Sequence, residues 1–178
     1  MGESFELSII SEKEIDLKKW QREFSIHSHN YFYKGVFDFF NEKELLLRED
    51  KYPLFWVYEI SVASKSLFLR DDIVDKILLL LEVVSVIHEN SKIEYAIANV
   101  ETNSLFIDEN QDFLTPSKEI ILKSALIFIP LSKIEGIEIN LYHMVFKFNK
   151  MVCFYNPTSG ILFSSDDEKF KILKESFR

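Results

Sequence analysis

Asp71 to Glu89 reads DDIVDKILLLLEVVSVIHE, and this stretch decides the class of fold. Asp71, Asp72 and Asp75 complement the positive end of a helix dipole at its start. Asp75, Glu82 and Glu89 fall seven residues apart and draw one narrow polar stripe. Almost everything else from Ile73 to Ile87 is apolar. A helix with so thin a wet face must be covered by the rest of the chain. The segments around it carry the period of strands. Leu54, Trp56, Tyr58, Ile60 and Val62 share one face, with Glu59 and Ser61 on the other, and Ile93, Tyr95 and Ile97 alternate on the far side.

Working outward, Phe5-Glu6-Leu7-Ser8-Ile9 is a short alternating strand. Ser11 with Glu14 forms a capping box, which predicts a helix from about Glu12 to Phe24 with Ile15, Leu17, Trp20 and Phe24 inside. Phe32, Val36, Phe39, Phe40, Leu46 and Leu47 fit a helix over residues 30–49, although Gly35 and the aromatics also permit a strand. Leu105-Phe106-Ile107 pairs with the Ile93 strand across Glu101-Thr102-Asn103. Thr115-Pro116 starts a helix, while the run from Ile120 to Ile129 fits a fully buried strand as well. Residues 137–163 read as β, with a phase shift near Tyr142, a hairpin tip at Asn149-Lys150 and a turn at Asn156-Pro157. Ser165 with Glu168 caps a last helix to about Phe177. No linker or repeat divides the chain. The expectation is one compact α+β domain over residues 1–178, a mostly antiparallel sheet packed against helices.

Length and composition exclude several functions. A chain of 178 residues buries roughly 70% of its unfolded surface and needs no disulfide or metal staple. Seventeen Phe residues promise a core rich in aromatic area. The single cysteine, Cys153, forbids an intramolecular disulfide framework; between Val152 and Phe154 it reads as a small buried hydrophobe. No basic segment precedes an apolar run at the start, and Glu6 stands where a myristoylation motif needs Ser or Thr. The longest apolar runs, Ile77–Leu81 and Ala125–Leu131, are far shorter than a membrane span of about 20 residues. A cytoplasmic protein is expected. The net charge of −8 repels nucleic-acid phosphates and anionic membranes and suits a basic protein partner.

Catalytic signatures are missing. The four glycines (Gly2, Gly35, Gly136, Gly160) are too dispersed for a phosphate-cradling loop or a serine nucleophile elbow, so no cofactor is expected. If His27-Ser28-His29 lies on a strand, both rings project from one face, which makes His27 and His29 weak metal candidates with Asp38 as a further donor. His88-Glu89 is a possible acid/base pair, against which a histidine at a helix C-terminus simply favours the negative dipole end. His27, His29, Asp38 and His88 are the residues on which a small metal-dependent enzyme would rest; a homo-oligomeric scaffold is the other alternative.

Electrostatics carry the functional expectation. Between Lys92 and Lys118 there is no base, while Glu94, Glu101, Asp108, Glu109 and Asp112 all fall there. Asp108 to Asp112 reads as an acidic loop bordered by Phe106 and Phe113, acids beside aromatic anchors suited to a basic cleft. In general profile the chain resembles bacterial toxin-immunity proteins: small, acidic, α+β and without catalytic residues. That resemblance rests on type and on no particular residue. It implies a non-enzymatic inhibitor of a cognate toxin, such as a nuclease with a basic cleft. The abundance of Ile, Phe, Lys and Asn fits an AT-rich bacterial or phage genome.

Overall fold

The structure, a computed structural model, describes residues 4–19, 46–63, 73–100, 113–135 and 144–155. These hold strands β1 (Ser4–Ser11), β2 (Leu46–Lys51) and β3 (Trp56–Ala63), helix α1 (Ile73–Ser91) and strand β4 (Tyr95–Val100). Helix α2 (Lys118–Lys123) and strands β5 (Leu126–Pro130), β6 (Met144–Phe148) and β7 (Met151–Tyr155) follow. The strands form one sheet in the order β2-β3-β1-β4-β5-β7-β6, and each neighbouring pair is antiparallel. The α+β expectation thus stands as one antiparallel sheet accompanied by a few helices. Among the described residues no helix is long and apolar enough to cross a membrane.

Both faces of the central strands are covered; β5 reads as an unbroken apolar run, while β1 keeps its alternation with its polar residues buried. All five residues of β5 are buried. One face gathers Ile10, Val57, Tyr95, Ile97, Ile127, Ile129, Val152 and Phe154 beneath Ile120 and Ile121 of α2 and the rings of Phe55 and Phe113. Phe55 and Phe113 meet edge to face with centroids 5.6 Å apart. On the opposite register lie Leu7, Ile9, Tyr58, Ile60, Ala96, Ala98, Phe128 and Cys153, all buried. Helix α1 contacts β5, β6 and β7, and Leu80, Leu81, Val83, Val84, Val86 and Ile87 are buried in it. On its expected wet stripe Glu89 is exposed, but Glu82 is half-buried and its pKa is raised by that burial.

Helix α2 is too short to hold itself together, since an isolated helix needs about 12–15 residues in water. The burial of Ile120 and Ile121 supplies what is missing, at roughly 1.5–3 kcal/mol per side chain. Ser117 caps it by accepting from the Ile120 N–H. Pro116 therefore stands just outside the helix rather than at its first position, and the apolar run divides into a helix and a buried strand at Ser124. The Ser124 hydroxyl donates to the Ile120 carbonyl at 2.6 Å and closes that end.

Two boundaries differ from the sequence-based reading. Residues 46–49, for which the sequence favours a helix end and permits a strand, belong to the edge strand β2, because pairing with β3 along its whole length outweighs the helical spacing of Leu46 and Leu47. Its Arg48–Asp50 ion pair and the Lys51 ammonium over the Trp56 ring keep that edge charged. After β1, Ser11 bonds Lys13 and caps no helix. Helical backbone begins at residue 17, with Asp16 accepting from the Lys19 N–H at 2.8 Å, so the start lies about one turn later than the capping box implied. Ile15 and Leu17 are buried as expected. The Asn149-Lys150 hairpin tip joins β6 and β7 as expected, with Asn149 at φ 50°. The remainder of the helix expected over 30–49, the Leu105–Ile107 strand, the Tyr142 phase shift and the last helix lie outside the described residues.

The Tyr58 hydroxyl accepts from the Ile15 N–H and ties the segment after β1 to β3. Burial is the main reason its pKa is pushed up to about 12, so it stays a neutral phenol. Tyr58→Phe should leave that buried N–H without a partner and cost roughly 1–3 kcal/mol in urea unfolding. An unchanged midpoint would show that the bond contributes nothing.

Candidate functional site

Two polar places stand out among the described residues. The first lies on β1 and β3, where Ser8 faces Glu59 and Glu6 faces Ser61 across the ladder. Sequence alternation puts Glu59 on a wet face, yet it is only 5% exposed, and Glu6 only 6%, because both faces of the sheet are covered. Ser61 donates to Glu59 Oε1 at 3.2 Å, while Oε2 has no hydrogen-bond partner. Burial first, and then the neighbouring Glu6 carboxylate, raise the pKa of Glu59. Two carboxyl groups in one dry site favour a held proton.

The second is a cleft of about 490 Å³ at the C-terminal end of α1. His88 and Lys92 from the helix end, Ile93 and Glu94 before β4, Leu131–Lys133 after β5 and Lys150 from the β6–β7 turn line it. Pro130 ends β5 and residues 131–133 close a 3-10 turn. The segments are pinned by main-chain bonds. The Lys92 N–H donates to the His88 carbonyl (2.9 Å), the Glu94 N–H to the Ile10 carbonyl (2.9 Å), and the Leu131 N–H to the Lys150 carbonyl (2.8 Å). Lys133 is ion-paired with Glu94. Lys92 adopts φ 54°, a left-handed conformation that costs a residue with a Cβ roughly 1–2 kcal/mol.

His88 is buried and its Nδ1 has no hydrogen-bond partner. Burial is the largest cause of its lowered pKa; Lys92, Lys133 and Lys150 push the same way, and a backbone hydrogen bond at Ile93 opposes them. The dipole argument for a cationic histidine at this helix end therefore fails: desolvation and three ammonium groups keep the ring neutral. His88 is buried while the adjacent Glu89 is exposed.

Of the residues expected to dock a partner, two are described. Glu94 lies in the cleft, engaged by Lys133. Phe113 is in the core against Phe55, not presented as an exposed anchor. Glu101, Phe106, Asp108, Glu109 and Asp112 lie outside the described residues, as do His27, His29, Asp38 and His143. Among the described residues no group of three or more His, Cys, Asp or Glu could hold a metal ion. Cys153 is fully buried, and burial pushes its thiol pKa up, away from the thiolate a nucleophile needs. The three lysines escaped sequence reading because they come from three separate segments; of these only the Asn149-Lys150 turn had a local signal.

The raised pKa of Glu59 has a signed consequence. Its favourable contribution is full below the ordinary carboxylate value and fades as pH rises through the raised one. Glu59→Gln should therefore gain in thermal midpoint over the parent at about pH 8, with the gain shrinking toward about pH 4. A difference that stays constant with pH would refute the assignment. Comparison of the chain with protein-family models, curated proteins and solved structures finds no match.

Proposed function

We propose that the chain is a non-enzymatic, cytoplasmic inhibitor of another protein, of the toxin-immunity type, built as a single compact α+β domain. The observation that carries this reading is its charge. A net −8 and the base-free interval from Lys92 to Lys118 suit a basic protein surface and repel nucleic acid and anionic membranes. The acidic stretch also departs from fixed ground. Before it, β4 is paired to β1 through Val100 opposite Phe5, and after it Phe113 is packed in the core. The residues on either side of 101–112 are thus anchored in the sheet and the core. With Glu94 engaged by Lys133 and Phe113 buried, the contact falls to Glu101, Phe106, Asp108, Glu109 and Asp112. The partner is a basic protein, a toxin such as a nuclease whose cleft these carboxylates occlude.

The test is capture of the tagged protein's partner from its host lysate at low and moderate salt, followed by titration of the purified pair. Replacing Asp108, Glu109 and Asp112 with Lys should change folding stability by no more than about 0.5 kcal/mol. The same variant should weaken the complex by about tenfold or more, with the parent affinity falling as salt rises. A complex as tight with the triple variant as with the parent would remove the acidic stretch from the interface.

A further inference from the structure

The cleft at the end of α1 carries the opposite charge to the protein as a whole. Lys92, Lys133 and Lys150 line it against one carboxylate, Glu94, leaving two positive charges; Glu12 acts on Lys133 from outside the lining. The C-terminal end of a helix supplies only about half a negative charge, too little to account for them. Nor are the lysine side chains needed as caps. The Lys92 main-chain N–H already serves the His88 carbonyl, and Asn90 Nδ2 serves the Val86 carbonyl at 2.9 Å. Lys92 moreover occupies a left-handed position that glycine takes without strain.

We propose that this cleft binds a small phosphate anion, free or carried on a small organic group, between Lys92, Lys133 and Lys150 and beside His88. Lys92 and Lys150, with Lys133 already paired to Glu94, line the cleft with a net positive charge that matches a compact dianion. The volume of about 490 Å³ exceeds what inorganic phosphate fills and lies within the range of small-molecule sites. His88 supplies discrimination. The Nδ1 of His88 has no hydrogen-bond partner, and in the tautomer that leaves it unprotonated it accepts from a ligand O–H. Hydrogen phosphate, or a hydroxyl of a phosphate carrier, has an O–H to donate to it; sulfate has none. The lysine segments are held by their main-chain bonds to His88 and Leu131, so little ordering remains for binding.

The test is calorimetric titration of the full chain near neutral pH with inorganic phosphate, ribose 5-phosphate and sulfate as separate probes. The expected result is saturable binding to one site by at least one of the phosphates, about tenfold or more tighter than sulfate. The tighter of the two phosphates tells whether the natural ligand is free phosphate or an organic phosphate. Lys92→Gly and Lys150→Ala should each weaken binding by about tenfold or more while the unfolding midpoint holds or, for Lys92→Gly, rises. Absence of saturable heat from both phosphates at millimolar concentration would overturn the proposal. So would sulfate binding as tightly as phosphate, or unchanged affinity in both folded variants.

Discussion

The structure depends on one constraint: a single antiparallel sheet whose central strands must be dry on both faces. Neither helix nor sheet can satisfy this alone. Helix α1 lies against β5, β6 and β7, while α2 and the Phe55–Phe113 pair close the apolar half of the other face. From this requirement follow the unbroken burial of β5 and the stability of a helix as short as α2. The near absence of a polar face on α1 has the same origin.

The polar groups that this constraint traps behave as desolvated groups do. Glu59 resists ionisation, Tyr58 stays a phenol, Cys153 stays a thiol and His88 stays neutral. In each, burial is the first cause, which marks a low-dielectric interior rather than one strong partner. Glu59 and His88 also keep one polar atom without a partner, a condition that costs free energy and that few buried groups in folded proteins share. They sit in different surroundings. Glu59 has a second acid beside it, and His88 has three cations around it.

What could be read in the sequence was local. The apolar run of α1, the alternation of β1, β3 and β4 and the turn chemistry of Asn149-Lys150 each depend on neighbours a few residues apart. What could not be read depended on distant pairing. Leu46 and Leu47 sit at helical spacing, and only the β3 ladder makes a strand of them. Glu59 looks outward by alternation until the cover on the second face is known. The cleft required Lys92, Lys133 and Lys150 to meet from three separate segments, and no sequence window contains them. The acidic stretch, by contrast, was visible as a sequence feature, and the described fold anchors the residues on either side of it.

The position of β1 has a kinetic consequence. This strand lies in the middle of the sheet, yet its neighbours are residues 56–63 and 95–100. At synthesis rates of about 5–20 residues per second, residues 4–11 wait roughly 5–20 s for their second partner to appear. Until residues 95–100 appear, Leu7, Ile9 and Ile10, all destined for the interior, have β3 on one side of their strand and no neighbour on the other. Closure over such distances makes the topology intrinsically slow to form. The sheet closes around β1 only after residue 100 has been made.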